Sequence, residues 1–223
     1  MKRTSSIIHG YHYQRGIKKV IDILGSCILL TFFFPLYLIT SVAIFLDSPG
    51  PIFADVPERV GQTGKKFTMF KFRSMIVHAH HLLRTDPRFK KLYEEYKKGS
   101  YKLKHDPRIT TVGKWIRKHS IDEIPQLLNV LRGEMSLVGP RAYYFDELQH
   151  QQQEYPHTRK LVTKVLSVKP GITGLWQVTG RSEIHFDKRI ALDAQYVDTI
   201  SLWSDLMIII KTPWVMITGK GAI

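Results

Sequence analysis

Residues 25–46 read GSCILLTFFFPLYLITSVAIFL, a run of 22 residues without a charge and with Pro35 near its middle. At about 1.5 Å per residue, a straight helix of that length reaches across a hydrocarbon core of about 30 Å. Pro35 works against a straight helix. It offers no N–H to the carbonyl of Thr31, and its ring crowds that carbonyl, so the sequence predicts a kink or a break there. The two arms, 25–34 and 35–46, are then about 15–18 Å long, roughly half a bilayer each. A helix that enters, turns at Pro35 and leaves on the same face satisfies the sequence as well as one that crosses.

The flanks bear on that choice. Lys2, Arg3, Arg15, Lys18 and Lys19 precede the run, and Arg59, Lys65, Lys66, Lys71 and Arg73 follow it. Basic flanks favour the cytoplasmic side. With both flanks basic, a re-entrant hairpin fits better than a crossing, although long downstream domains translocate largely regardless of charge. The residues leave both topologies open. A cleaved signal peptide fits poorly: the run is too long and no small-x-small site follows it.

The whole chain has 223 residues, a formal charge of +14 and a pI near 9.8. That balance points to nucleic acid, anionic lipid or a phosphorylated substrate. The residues past Leu46 suffice for one domain with a real core. The one cysteine, Cys27, lies in the apolar run, which excludes a disulfide framework and a cysteine zinc site. Three segments follow: a polar stretch 1–16 that frays or lies on a membrane surface, a proline-broken membrane helix 17–46, and a domain 47–223.

Within that domain the pattern is α+β and mainly helical. Residues 52–60 and 66–72 read as strands around the turn Gly61-Gln62-Thr63-Gly64. Helices are expected over 74–98 with a break at Asp86-Pro87, then over 110–118, 125–131, 143–166 and 185–199. Residues 169–180 read as loop and short strand. The apolar stretch 202–217 is too short and too polar to span. Trp203 and Trp214 share a helical face if Pro213 leaves the register intact, so the segment is expected on the bilayer surface. A buried core helix is the competing reading.

The chain has three adjacent carboxylate pairs, Glu94-Glu95, Asp122-Glu123 and Asp146-Glu147. The first sits beside Lys97 and Lys98 and reads as a solvated face. The second lies in Ser120-Ile121-Asp122-Glu123-Ile124-Pro125-Gln126, and a carboxylate pair can supply a nucleophile, a base or a metal ligand. Ser120-x-x-Glu123 also matches a capping box. Pro125 argues against that, because it would fall inside the resulting helix. If the helix starts at Pro125, both carboxylates lie just ahead of an N-terminus that favours anions. The residues alone leave the pair between a structural and a functional role.

Basic residues in turn-like settings surround it: Lys71 and Arg73, Arg108, Arg117, Arg141, Lys169 and Arg181. Arginine forks phosphates bidentately, and Gly-rich loops expose N–H groups to them. No nucleic-acid module is present. His78-x-His80-His81 matches no zinc spacing and reads as a solvated helix face.

Taken together, KFRSM (71–75), DPRIT (106–110), SIDEIPQLLNVLRGEMSLVGPR (120–141), KPGITGLWQVTGR (169–181) and the pair Asp193/Tyr196 resemble the bacterial sugar transferases, the monotopic polyprenol-phosphate phosphoglycosyl transferases. The resemblance runs from about residue 15 to the C-terminus, and the motifs fall in the family's order. It implies a re-entrant helix broken at Pro35, and a small, catalytic-domain-only form. It implies transfer of a sugar 1-phosphate from a nucleotide diphosphate sugar, with UDP the usual carrier, to polyprenol phosphate, with release of UMP. Asp122 would then be the nucleophile that forms a phosphosugar-aspartyl intermediate, Glu123 its helper, and Mg2+ the cofactor with Asp122 among its ligands. Lys71, Arg73, Arg108, Arg117, Pro140, Arg141, Lys169, Arg181 and Asp193 would contact substrate. The same likeness places the domain on the cytoplasmic face of a bacterial inner membrane, with lipid as a partner, no nucleic acid, and a homodimer compatible. Two positions depart from the family pattern: Ala142 stands where a second proline is common, and Pro57 where a glutamine is. A non-catalytic basic module anchored on anionic lipid is the competing function. It accounts for the charge and the anchor but not for the dense motif block.

Overall fold

The computed structural model describes residues 8–98, 101, 103, 105–180 and 184–218. A short helix, α1 (Gly10–Arg15), leads into α2 (Ile17–Asp47), 31 residues long. Pro35 does not end α2. A proline costs the ladder one bond, and the rest of a helix this long persists around it. Nearby hydroxyls bond back into the helix, Thr31 Oγ1 to the Cys27 carbonyl at 3.0 Å and Ser41 Oγ to that of Tyr37 at 2.8 Å.

One face of α2 lies along the domain. Leu29, Leu30, Phe33, Leu36 and Tyr37 pack against the main core, while Ile28, Phe32, Ile39 and Leu46 are 67–75% exposed on the other face. The helix is thus a wall of the domain as well as an apolar surface. Residues 8–16 are also tied down, against the expectation of a fraying start. His9 pairs with Ser201, and Tyr13 is fully buried with its hydroxyl donating to Asp205 Oδ2 at 2.8 Å.

A three-stranded antiparallel sheet follows in the order β2–β1–β4, from β1 (Arg59–Val60), β2 (Lys66–Phe67) and β4 (Tyr143–Tyr144). The hairpin between β1 and β2 is where the sequence put it, with Thr63 and Gly64 at positive φ. Its strands are shorter than expected, and Phe53 meets Phe72 in an isolated bridge. Pro57 has no N–H for a longer ladder. Between β2 and β4 come α3 (Ala79–Thr85), α4 (Lys90–Lys98), α5 (Thr111–Lys118), α6 (Leu127–Leu131) and β3 (Ser136–Val138). The expected helix from 74 starts five residues later, because Ser74 and Met75 are held extended: Thr110 N–H donates to the Ser74 carbonyl, and Met75 bridges Ile109. The break at Asp86 is as expected, with Asp86 Oδ1 accepting from Arg88 N–H.

The chain closes with α7 (Phe145–Glu154), α8 (Arg159–Val165), β5 (Gly171–Thr173), α9 (Leu175–Thr179), α10 (Phe186–Thr199) and α11 (Leu202–Thr218). β5 pairs parallel to β3. A Cβ on Gly171 would come within 2.0 Å of the Gly139 amide nitrogen, so this approach admits only glycine. Pro213 lies inside α11, which docks through Asp205 and Ile208 and turns Trp203 and Trp214 outward, 62% and 71% exposed. The register of the two tryptophans therefore holds through the proline, and the helix is neither a free surface segment nor a buried one.

The foot of α2 is held by buried charge. Lys18 Nζ donates to Asp205 and, at 2.9 Å, to the Val138 carbonyl; Tyr196 OH reaches Asp205 Oδ1 at 2.6 Å. Asp22 Oδ1 accepts from Ser136 Oγ and from Leu137 N–H, both at 2.9 Å. Asp205→Asn strands the Lys18 ammonium in a site where both side chains are under 10% exposed. It is expected to cost about 3 kcal/mol. Denaturant unfolding of the full chain in detergent checks this, and adding Lys18→Met should restore part of the loss.

Candidate active site

Residues 68–73 cross the domain extended, and side chains on an extended segment alternate. Asn129 fixes the segment: its Oδ1 accepts from Phe70 N–H at 2.9 Å and its Nδ2 donates to the Thr68 carbonyl at 2.8 Å. Phe72 N–H donates to the Asp122 carbonyl at 3.0 Å. Phe72 then buries its ring against Tyr37 of α2, with centroids 4.7 Å apart, and Lys71 takes the opposite side. There its Nζ lies 2.9 Å from Asp122 Oδ2 and 3.4 Å from Glu123 Oε1.

The two carboxylates come from a tight helical turn, Ile121–Gln126, that opens from Ser120 in the left-handed region at φ 55°. Ser120 makes no side-chain cap, so the capping box is not formed. The helical structure nevertheless starts ahead of Pro125, at Ile121, because a tight turn of i→i+3 bonds tolerates a proline that an α-helix would reject. Asp122 is 3% exposed. Burial, the largest effect, pulls the Lys71 ammonium down, but the Asp122 and Glu123 carboxylates outweigh it and hold its pKa above the ordinary lysine value.

The pair lines a cavity of about 220 Å³. Lys71, Arg73, Arg108, Arg117 and Arg141 line it too, so the structure gathers most of the residues expected there. Their contacts separate them. Arg73 caps the exit of α2, with Nε on the Pro51 carbonyl at 2.6 Å, Nη1 on Ser48 Oγ at 3.0 Å and Nη2 on the Ser48 carbonyl. Arg108 is 1% exposed and forks Asp106 at 2.8 and 2.6 Å while Nη1 holds the Ala79 carbonyl. Both guanidinia bond to the protein's own carbonyls, hydroxyl and carboxylate and so support the cavity wall that they line.

Arg141 differs. Its Nε has no hydrogen-bond partner among the described residues, and its guanidinium lies 5.2 Å from the Trp176 ring centroid. Asp193 sits behind it rather than in the cavity, accepting from Arg141 N–H at 3.2 Å and from Tyr143 OH at 2.9 Å. Pro140 and Lys169 are likewise not lining residues. They belong to the β3–β5 crossing, where the Pro140 carbonyl accepts from Gly171 N–H at 2.8 Å. Arg181 lies outside the described residues.

The remaining carboxylate pairs are structural. Asp146 pairs with Arg84, and Glu147 is buried against Arg189 at 2.9 Å. The histidine cluster does not converge: His78 faces Asp55 and His81 faces Thr85, while His78 and His80 both line the cavity. Burial first, then the charges of Arg59 and Arg108, push His80 down to about 3, so it is neutral at neutral pH. Among the described residues, no three His, Cys, Asp or Glu side chains group as a metal site. Mg2+ needs only one or two carboxylates, with water and substrate phosphate completing its shell. Asp122 and Glu123, which already share the Lys71 cation, fit that requirement.

Two cavity residues escaped the sequence reading. Arg59 was read as a membrane flank, yet it is 8% exposed and stacks 3.3 Å from the Tyr144 ring centroid. Trp176 was one aromatic among many, and only the fold brings it beneath Arg141.

The class is now defined: a small α+β domain on a long apolar helix, with a lysine-bridged carboxylate pair in a basic cavity. The family model described as bacterial sugar transferase matches residues 13–219, and the chain belongs to that family. It is 41% identical over 215 residues to a UDP-galactose-lipid carrier transferase of Erwinia amylovora, covering 95% of this chain and 42% of that one. It is 40% identical over 213 residues to an undecaprenyl-phosphate galactose phosphotransferase of Salmonella typhimurium, covering 94% and 42%. Exopolysaccharide production protein ExoY of Rhizobium meliloti is 37% identical over 206 residues, with 92% and 87% covered. The chain thus spans less than half the length of the first two.

Asp193 gives the site a pH signature. Burial pushes its carboxyl from 3.8 up to about 7. The folded protein therefore keeps a proton on Asp193 that the unfolded chain has already released, and this group's contribution to stability falls as pH rises from about 4 to 7, then levels off. Between pH 5 and pH 7 its contribution amounts to about 2 kcal/mol, opposed below about pH 6.5 by His80, whose depressed pKa favours the folded state as pH rises. Asp193→Asn is expected to make the slope of stability against pH more positive than in the wild type, as measured by denaturant midpoints across the range. An unchanged slope in the variant would assign it to another group.

Proposed function

We propose that this chain transfers a sugar 1-phosphate from a UDP-sugar to undecaprenyl phosphate, through a covalent aspartyl intermediate, as a priming step of bacterial polysaccharide synthesis. One observation carries the reading: Asp122, buried and fixed through its carbonyl to the Lys71 segment, presents its carboxylate in a basic cavity of the domain that packs on the apolar helix. A carboxylate serves as a covalent phosphoryl acceptor. The relatives' names supply the substrate class.

In the first step an Asp122 oxygen attacks the sugar-linked phosphorus. The bond from that phosphorus to the bridging oxygen breaks, and UMP leaves with the electron pair. In the second, a phosphate oxygen of the lipid attacks the same phosphorus and the Asp122 carboxylate departs. Lys71 holds the carboxylate in place, and Arg141 offers donors to the diphosphate. Asp122 and Glu123 would hold a Mg2+ ion, whose charge would offset that of the diphosphate.

Asp122→Asn should abolish UMP release while leaving the thermal unfolding transition in place, since an amide cannot accept the phosphoryl group. With donor alone, mass spectrometry of the wild type should find a phosphosugar adduct on the peptide containing Asp122. An unmodified peptide under turnover conditions would point to direct transfer in a ternary complex.

We further propose that the domain lies at the cytoplasmic face of the inner membrane, with both ends of α2 on that one side. What supports this is that both ends of α2 are bound to one body: Lys18 and Asp22 at its start, and Asp47, whose Oδ2 accepts from Val112 N–H at 3.0 Å, at its end. A straight crossing would separate those ends by the bilayer. Cysteines introduced singly at His9 and Glu94, in a Cys27→Ala background, should label from the same side in inverted vesicles. Labelling from opposite sides would establish a crossing.

A further inference from the structure

The tight turn 121–126 carries a third polar side chain besides the carboxylate pair. Asp122 and Glu123 share the Lys71 cation, but Gln126, which ends the turn, has no role in what precedes. It lines the cavity and is 3% exposed. Its carboxamide makes no hydrogen bond among the described residues. Two neighbouring amides behave otherwise. Asn129 has its carboxamide taken up by Phe70 N–H, the Thr68 carbonyl and Glu134 Oε2. Gln177, on the same wall, donates from Nε2 to the Ile172 carbonyl at 2.8 Å, and its Oε1 is sealed from solvent. The Gln126 amide is unpaired without being sealed, so the cavity is what it faces.

Its position on the turn brings it to the carboxylates. A turn of i→i+3 bonds has about three residues per turn and a rise of about 2 Å per residue, so Gln126 stands about 6 Å along from Glu123 on the same face. Asp122 precedes it by four residues. A phosphoryl group that comes within about 3–3.5 Å of the Asp122 carboxylate, as reaction requires, turns its oxygens toward the same short stretch of backbone. The chemistry of the side chain suits that place. A primary amide offers N–H donors and no charge. A cation there would pair with the carboxylates, as Lys71 does, whereas the amide bonds to neither and leaves the nucleophile free. A buried amide without a partner destabilises the fold, and a bound oxygen that accepts from it removes that penalty.

We propose that Gln126 is a catalytic residue of the transfer, whose Nε2 donates to a non-bridging oxygen of the attacked phosphoryl group. This inference rests on the transfer reading above. In the first step the bond from an Asp122 oxygen to phosphorus forms, the bond to the bridging oxygen breaks, and UMP takes the electron pair. The non-bridging oxygens stay on the phosphorus and carry its charge as its partners change, and a donor already fixed beside them stabilises that state. The contact belongs to the phosphoryl group and not to the departing nucleotide. It therefore persists in the adduct and serves again when an oxygen of the lipid phosphate displaces Asp122.

Single-turnover release of UMP tests it, with the full chain in lipid nanodiscs in excess over UDP-galactose or UDP-glucose and no lipid acceptor. Gln126→Met keeps the length of the side chain and removes its donors. It is expected to lower the limiting rate by about 10²–10³-fold, with the half-saturating concentration little changed, as for loss of a donor that acts in the transition state. The same variant should hold or raise the thermal unfolding temperature, because an apolar group of like shape replaces an unpaired buried amide. An amide that held the fold together would give the opposite shift. Gln126→Glu keeps the shape but puts an acceptor where the donor was, and should be at least as slow. An unchanged limiting rate in both variants overturns the inference while leaving the transfer reading intact. So does a Gln126→Met variant that is slow but unfolds at lower temperature, and so does a loss confined to the half-saturating concentration. A wild type that releases UMP from neither donor overturns both readings.

Discussion

Both ends of the apolar helix α2 are clamped to one body, and each clamp touches a wall of the cavity. At the start, Lys18 holds the Val138 carbonyl, three residues before Arg141, and Asp22 holds the β3 backbone. At the end, Ser48 is gripped by Arg73, two residues from Lys71, and Asp47 caps α5, the helix that carries Arg117. Movement of the helix is therefore movement of the residues that line the site.

The clamps are polar and buried, and this bears on specificity more than on stability. Replacing a buried ion pair with apolar residues is often neutral, whereas leaving one partner alone is costly. An apolar helix lying on an apolar core has little to fix its register. A slip of α2 by one turn, about 5.4 Å, would leave Lys18, Asp205 and Asp22 all unpaired at once. The Asp205 carboxylate, shared by Tyr13, Lys18 and Tyr196, thus sets one position of the helix against many of similar apolar contact.

The carboxylate pair, the hairpin, the break at Asp86 and the outward tryptophans of α11 were legible because each depends on local spacing. The roles of the arginines were not. Arg73, Arg108 and Arg141 read alike as basic residues beside turn-forming neighbours, and what separates them is largely what the fold brings to them from tens of residues away. Ser48 and Pro51 meet Arg73, Ala79 meets Arg108, and Arg141 is left facing the cavity. One local signal was present and unused. Asp86-Pro87-Arg88 and Asp106-Pro107-Arg108 are the same tripeptide turn, and each folds into a bidentate aspartate–arginine pair, one exposed and the other buried. The echo marked Arg108 as self-satisfied. The integration of α2 into the core was beyond reach of the sequence, since a uniformly apolar run does not show which of its faces meets protein.

Two features of the cavity bear on the order of events. A polyanionic donor must approach a carboxylate, and like charges oppose that approach. Lys71 between the two carboxylates, with Arg117, Arg141 and Arg59 around them, gives the cavity the cationic excess that offsets it, in keeping with a chain of net charge +14. The volume, about 220 Å³, lies below the roughly 300–1,000 Å³ usual for a ligand pocket. Simultaneous binding of a nucleotide sugar and a lipid phosphate asks for more room than this. The aspartyl intermediate we propose would remove that need, because the nucleotide would leave before the lipid enters and the same cationic groups would serve each phosphate in turn. On that proposal the small cavity and a single central nucleophile are one arrangement, in which successive occupancy stands in for size.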